Sequence, residues 1–247
     1  MMFRKVVFLV ITVCLPGFAA KAQYDFRFGF QVSPSLSWMQ TDVSYINPNG
    51  PNLGLKLGAL GEYYFRENYA ITGGVGFAFN AGGTLKYDFP GNYWAQTDKG
   101  VGVDTLAAGV NLKYNLQYVE IPIGLKMRTR EFGYMRYFAE IPVFTFGFRS
   151  QARGSISKNT TNFGPAEIEK LQIKEEVKSL ALSWGLGAGI EYSVSTSTSL
   201  VGGVYFQKLF TDINSDSGTV YSNNRGDLNE NSKATNDIIT FRLGVIF

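Results

Sequence analysis

The C-terminal segment constrains the fold of this chain more than any other stretch. From Asp237 to Phe247 it alternates strictly: Ile239, Phe241, Leu243, Val245 and Phe247 share one apolar face, while Thr240, Arg242 and Gly244 occupy the other. A period of two is the side-chain repeat of an extended strand. One oily side and one side carrying a charge suit a strand with lipid on one face and a polar lumen on the other. In a bilayer only helices and closed barrels satisfy every backbone N–H and C=O. A strand of this kind, ending in an aromatic, is what a barrel needs to close on its first strand.

Seven further segments alternate, each about 10–13 residues long, the length a tilted strand needs to cross a bilayer. The first sets Phe26, Phe28, Phe30, Val32, Leu36 and Trp38 against Arg27, Gln31, Ser33 and Ser35. The second sets Leu53, Leu55, Leu57, Ala59, Tyr63 and Phe65 against Lys56 and Glu62. The third has Tyr69, Ile71, Val75, Phe77 and Phe79 on one side. The fourth opposes Val119, Ile121, Ile123, Leu125 and Met127 to Glu120, Pro122, Gly124 and Lys126. The fifth, about residues 136–148, is irregular: Tyr137, Ile141 and Val143 oppose Arg136 and Glu140, but Phe144, Phe146 and Phe148 then fall on the polar face. A bulge near Pro142 would restore the register. The sixth runs from Leu180 to Tyr192, and the seventh, about 198–210, has Leu200, Val204 and Phe206 together.

Tight turns are expected at Arg66–Asn68, Arg130–Gly133 and Ser195–Ser197, and long polar loops at 39–52, 81–114, 149–178 and 211–236. Short and long connections in alternation predict an all-β, eight-stranded antiparallel transmembrane barrel, an up-and-down meander with short periplasmic turns and long extracellular loops. Aromatic girdles fit this picture: Tyr63, Tyr64, Phe65, Tyr69, Phe132, Tyr134 and Tyr192 lie near the tight turns, and Trp38, Phe79, Trp184 and Phe206 near the other strand ends. The competing fold is a soluble lipocalin-like barrel, which would turn its oily face inward.

The N-terminus suggests export. Arg4 and Lys5 precede an apolar run from Val6 to Val13, Pro16 and Gly17 break it, and Ala20-Lys21-Ala22 reads as a cleavage site. Residues 1–22 are expected to be a Sec-type signal peptide and 23–247 the barrel domain, placed in a bacterial outer membrane. Lipidation at Cys14 fits poorly, because Val13 occupies a position that needs a small residue. Of 23 basic residues the signal holds Arg4, Lys5 and Lys21, leaving 20 against 20 acidic ones. The excess positive charge thus belongs to the targeting segment and no nucleic-acid partner is expected. The only cysteine leaves with it, so no disulfide follows. The chain has no histidine. That removes Ser-His and Cys-His catalysis and disfavours zinc.

Charges within the strands fall on the lumen face: Arg27, Lys56, Glu62, Glu120, Lys126, Arg136, Glu140, Glu191 and Arg242. An eight-stranded barrel has room inside only for side chains. Unpaired buried charges cost several kcal/mol each. A plugged lumen laced by Arg/Lys–Glu bridges is therefore expected. An ion path or a catalytic carboxylate pair is the functional alternative. Glu120-Ile121-Pro122 recurs as Glu140-Ile141-Pro142; a turn centred on Glu131 would set each glutamate opposite the other strand's proline.

The run Asn115-Leu116-Gln117-Tyr118-Val119-Glu120-Ile121-Pro122-Ile123-Gly124-Leu125-Lys126 resembles the Leu/Val-Glu-Ile-Pro strand of PorT-like outer-membrane β-barrel proteins. The glycine-aromatic strands, the signal peptide and Phe247 are similar to that family too. The resemblance covers the 23–247 segment as architecture, and only the central strand is specific. It implies an eight-stranded outer-membrane barrel of a Gram-negative, Bacteroidetes-type bacterium, whose namesake branch serves protein secretion and maturation. It carries over no catalytic residues.

Outside the strands, Asp212-Ile213-Asn214-Ser215-Asp216-Ser217-Gly218 spaces oxygen ligands as calcium loops do, but Ser217 stands where such loops place glycine, and Asn223 where they place glutamate. An Asx-rich loop explains it equally well, so no metal or other cofactor is assigned. Pro165 to Leu171 could open a short helix. The third long loop is basic and the fourth acidic, so the two could dock over the barrel mouth or present a surface for lipopolysaccharide phosphates or a protein. Tyr87, Phe89, Tyr93 and Trp94 could cover the mouth or make contacts. The expected partners are outer-membrane lipid and lipopolysaccharide, the barrel assembly machinery and an envelope or secretion protein. The favoured function is a non-enzymatic structural or interaction barrel, the alternatives a narrow passive pore and, more remotely, a carboxylate-based enzyme. Phe247 is read as the assembly signal. Its deletion should lower the amount of folded barrel in the membrane, measured by heat-modifiable mobility on gels; normal levels would remove that role.

Overall fold

The computed structural model describes residues 26–100, 103–160, 165–222 and 226–247. The signal-peptide segment and Asn223 lie outside the described residues. The strands are β1 (Phe26–Thr41), β2 (Ile46–Arg66), β3 (Tyr69–Tyr87), β4 (Gly91–Asn92), β5 (Val110–Arg128), β6 (Met135–Ser157), β7 (Ile168–Gln172), β8 (Leu180–Ser193), β9 (Ser199–Leu209), β10 (Thr219–Ser222), β11 (Gly226–Asn229) and β12 (Ala234–Ile246). Eight long strands form an antiparallel ring in the order β5–β3–β2–β1–β12–β9–β8–β6, and pairing of β5 with β6 closes it. The first and last strands meet along Gly29–Ile246 to Thr41–Ala234. Phe247 extends this seam: its amide donates to the Phe28 carbonyl at 2.7 Å, and Phe28 N–H donates back at 3.2 Å.

The ring is inside-out relative to a soluble barrel. Phe26, Phe28, Phe30, Leu55, Leu57, Ile71, Phe77, Ile123, Phe144, Trp184, Phe241 and Leu243 all face outward and exposed. Lys56, Glu62, Lys126, Glu140 and Glu191 are buried within. The lipocalin-like alternative is thereby excluded. In β6 the bulge takes effect: pairing with β8 skips between Glu140 and Val143. Tyr137 and Ile141 point out below it, and Phe144, Phe146 and Phe148 point out above it. Val143 consequently faces inward, not outward with Tyr137. Tyr64 also departs from its expected place in the girdle, turning inward to donate to Glu62 Oε2 at 2.7 Å.

Four other expectations need correction. The long loops at 39–52, 81–114 and 149–178 are partly strand, because β2, β3, β5 and β6 run 21, 19, 19 and 23 residues. Residues 165–171 do not form a helix. There β7 pairs with β6 at Arg153–Gln172 and Gly154–Leu171. β6 rises past its last pairing with β8, Phe148–Leu180, and its open ladder takes β7 as partner. The fourth loop adds the β10–β11 hairpin, which pairs with β4. The β5–β6 turn is not centred on Glu131: Phe132 and Met135 exchange backbone hydrogen bonds around Gly133 and Tyr134. Gly133 has φ +66°, a conformation that glycine adopts without the Cβ penalty. Glu120 therefore faces Gly147 and Pro122 faces Thr145, so the reciprocal glutamate–proline pairing does not occur.

The extra strand length has a physical reason visible in β5, whose alternation is unbroken. Inward, Val110, Leu112, Tyr114, Leu116 and Tyr118 are apolar or aromatic, and Glu120 and Lys126 below them are charged. Outward, the order reverses. Lys113, Asn115 and Gln117 give way to Val119, Ile121, Ile123 and Met127. Both faces change polarity at the same level, where the surroundings change from lipid to water. Above it the barrel is an ordinary soluble one with an apolar core. That core joins Met39, Ile46, Leu85, Tyr87, Leu112, Tyr114, Leu116 and Ile156 of the strands to Tyr93, Trp94, Leu106 and Ile173 of the connections. An arginine at Ile123 should cost about 2–4 kcal/mol of barrel stability by its depth in the bilayer. The same change at Asn115 should cost much less, limited to the hydrogen bond its Oδ1 accepts from Asn52 at 3.3 Å. Urea unfolding in lipid vesicles measures both, and equal costs would misplace the boundary.

Candidate functional site: the charged lumen and its two ends

Inward positions on all eight barrel strands supply the lumen, and its charges form three tiers. Nearest the tight turns, Lys126 lies between Glu62 and Glu191 and pairs with both; its side chain is 1% exposed and that of Glu191 0%. Arg27 Nη1 reaches Glu191 Oε2 at 3.1 Å and Nη2 donates to Ser199 Oγ at 2.8 Å. Arg128 stacks on the Tyr64 ring at 3.8 Å and stands 3.9 Å from Glu191. In the middle tier Arg242 Nη1 pairs with Glu140 Oε1 at 3.0 Å and donates to Tyr205 Oη at 2.6 Å. Gly187 makes room for this tyrosine: a Cβ there would lie 2.1 Å from the Tyr205 ring. In the upper tier Lys56 Nζ lies 2.9 Å from Glu120 and 2.7 Å from Gln207 Oε1, and the Gln207 amide donates to Ser183 Oγ at 2.6 Å.

Eight of the nine residues expected in the lumen lie there. Arg136 does not: at the second residue of β6 it pairs with Glu131 at the rim. Arg128, Tyr64, Tyr205 and Gln207 were missed. Arg128 simply continues the parity of Lys126. Tyr205 and Gln207 alternate with Val204 and Phe206, a signal present in the least regular strand. Each lumen carboxylate has a cation partner, and Glu62 and Glu191 converge on a lysine. Cavities of about 50 and 20 Å³ remain, the larger between the middle and upper tiers beside Gln31, Lys56 and Arg242, the smaller above the upper tier beside Tyr118, Gln207 and Ile213. Space for about one water is roughly 10–15 Å³, so these hold a few waters at most.

The upper end is closed by protein. Tyr87 and Tyr93 rings lie 4.2 Å apart, Trp94 stands edge-on to Tyr114 at 5.2 Å, and Trp94 Nε1 donates to Tyr114 Oη at 3.0 Å. Of the aromatic group in the second loop, only Phe89 stays exposed. Buried polar groups tie the connections together. Glu176 accepts from Gln96 N–H at 2.6 Å and from the Ser217 hydroxyl, joining three connections. Glu230 accepts from Asn214 at 2.8 Å and Ser232 at 2.9 Å; burial raises its pKa against those hydrogen bonds. Lys99 donates to Asn92 Oδ1 at 2.8 Å and the Tyr93 carbonyl at 2.7 Å, and burial lowers its pKa. The third and fourth loops dock: Lys178 bridges Asp212 at 2.6 Å and Asp216 at 3.7 Å. These are the carboxylates of the calcium-like motif, so an ammonium sits between them. Among the described residues no cluster of carboxylates, cysteines or histidines has metal-binding geometry. The lower end is an open funnel of about 800 Å³ lined by Arg27, Arg128, Arg136 and the Ser193–Ser199 turn.

A profile of the outer membrane protein β-barrel domain matches residues 18–213. Among solved structures the chain is similar to Neisserial surface protein A, at 10% identity over 89% of this chain and 95% of that one, with a TM-score of 0.44. It is also similar to Ail, the attachment invasion locus protein of Yersinia pestis (12% identity, 90% and 99% covered, TM-score 0.37). A third is OprG of Pseudomonas aeruginosa (11%, 90% and 94%, TM-score 0.39). No curated protein matches the chain.

Replacing Glu191 by Gln leaves Arg27 without a carboxylate partner and Lys126 with Glu62 alone. Removing one partner of a buried pair costs about 3–5 kcal/mol. The expected drop in urea-unfolding stability should be partly recovered in the double variant with Arg27→Gln. An unchanged midpoint in the single variant would make the tier a passive one.

Proposed function

The chain belongs to the outer membrane protein β-barrel domain family, and we propose that it is a closed, non-enzymatic barrel of that membrane which acts through its surfaces. The observation that supports this is the double obstruction. Three ion-pair tiers fill the lumen, and the apolar cap packed on Tyr87, Tyr93, Trp94 and Tyr114 covers its outer end. Opening a path would mean separating buried charges and unpacking a core, both costly. The lumen cavities of about 50 and 20 Å³ are too small for a solute larger than a few waters.

The role is that of an anchor or interaction protein in secretion or envelope assembly. The Asn115–Lys126 strand, similar to that of PorT-like barrels, supports this finer reading. In the same reading the chain arrives by Sec-type export, loses residues 1–22 and is folded by the barrel assembly machinery acting on the Phe247 strand. The funnel with its arginines then faces the periplasm, and the cap faces the exterior, as short turns and long connections do in such barrels.

Reconstitution in planar bilayers tests closure. No reproducible single-channel steps are expected from the native chain. Stable steps would overturn the closed-barrel reading in favour of a narrow pore.

A further inference from the structure

The outward face of β5 and β6 above the polarity boundary is unlike the rest of the barrel wall. Lys113 and Arg153 are both exposed there. The β5–β6 register pairs Lys113 with Ser155 and Asn115 with Arg153, so the two cations are diagonal neighbours on one face. Neither forms an ion pair with a carboxylate among the described residues. This separates them from Lys86, paired with Asp88 at 2.9 Å, and from Lys208, paired with Asp237 at 3.6 Å. Between them and the lipid-facing Val119 and Phe148 stand amides: Asn115, Gln117 and Gln151. In the amide orientation that serves both side chains, Gln151 oxygen accepts from Arg153 Nη2 at 3.0 Å.

Height decides what this face can meet. Arg153 pairs with Asn115, four residues above Val119, and Lys113 is six above. At about 3.3 Å per residue and a tilt of about 40°, these levels lie roughly 10 and 15 Å beyond the hydrocarbon. A phospholipid headgroup layer is only about 5–7 Å deep. It ends below both cations. A glycolipid whose headgroup is a chain of phosphorylated sugars fills that height, with phosphates for the cations and hydroxyls for the amides. The patch is continuous with the apolar wall beneath it, so one molecule would set its acyl chains on Val119, Ile121, Phe146 and Phe148 and its sugars on the amides.

From this we infer that the β5–β6 face above the boundary is a docking surface for the phosphorylated sugar region of lipopolysaccharide, with Lys113 and Arg153 as the phosphate-binding pair. The inference rests on the reading of the cap side as external. It is independent of closure, so conductance and glycolipid binding fail or hold separately.

The test uses the full barrel domain, refolded in detergent free of lipopolysaccharide. Its binding to purified rough lipopolysaccharide is compared with binding to the same glycolipid after dephosphorylation and to phosphatidylglycerol vesicles. The K113E/R153E variant should bind about tenfold more weakly or worse, from the loss of two charge-assisted contacts. R66E, on the periplasmic rim, should bind like the native chain. Heat-modifiable mobility and urea unfolding without glycolipid check that each variant folds. Should the charge reversal not fold, the neutral K113Q/R153Q pair carries the same comparison, with a smaller loss expected. Equal binding by the variant, or undiminished binding after dephosphorylation, overturns the proposal. So does equal affinity for phosphatidylglycerol, which would mark a general anionic surface.

Discussion

Closure of the sheet on itself is the constraint from which the remainder follows. A segment in hydrocarbon must satisfy every backbone N–H and C=O internally. Eight strands do so only if the first pairs with the last, as β1 and β12 do from Thr41–Ala234 to the Phe28–Phe247 exchange. Once the ring is closed, alternation divides each strand between lipid and lumen. The lumen of so narrow a ring excludes bulk water, so any polar side chain within it needs a protein partner. The three tiers meet that requirement. They are stacked such that Arg242, Lys56 and Lys126 each bridge strands that are not neighbours in the ring.

The same strands build two structures of opposite polarity. In the lipid zone the oily residues face out and the charges face in. Above it, on β2, β3, β5 and β6, polar residues face out and Leu85, Leu112, Tyr114, Leu116 and Ile156 face in. The inversion needs no change of secondary structure on β5. On β3 and β6 it is helped by bulges, at Ala78–Ala81 and near Ser150, that shift parity by one. Loops that read as polar by composition become lids, because the ring they cover has an apolar mouth. Tyr93, Trp94 and Leu106 are buried in it. A barrel filled in this way leaves its outer wall, its exposed cap and the funnel at its lower end as its accessible surfaces.

Several features were not legible before folding. The helix expected at 165–171 yielded to β7 because β6 outlasts β8, and strand length mismatch is a property of the pair rather than of either segment. The β5–β6 register hung on which residue of the turn takes a positive φ. Gly133 takes it, and a two-residue period does not single out that residue within the expected Arg130–Gly133 turn. Arg136 has the parity of a lumen residue and lies one residue too close to the rim. Tyr64, grouped with the girdle by its neighbours Tyr63 and Phe65, belongs inside by parity. Apart from Tyr64, these differences concern ends and levels, and the two-residue period says nothing about height.

The amino-acid sequence alone determined the strand faces, the even meander, the inside-out polarity and which charges share an interior, because each is a consequence of a two-residue repeat read against lipid. Only the tertiary structure decided which carboxylate meets which cation, how far the strands rise beyond the bilayer, and that the loops seal the upper end. Those depend on register, on bulges and on the distances between residues more than a hundred positions apart, such as Arg27 and Glu191 or Glu140 and Arg242. A periodicity specifies the side of a sheet, and a closed ring specifies who stands opposite.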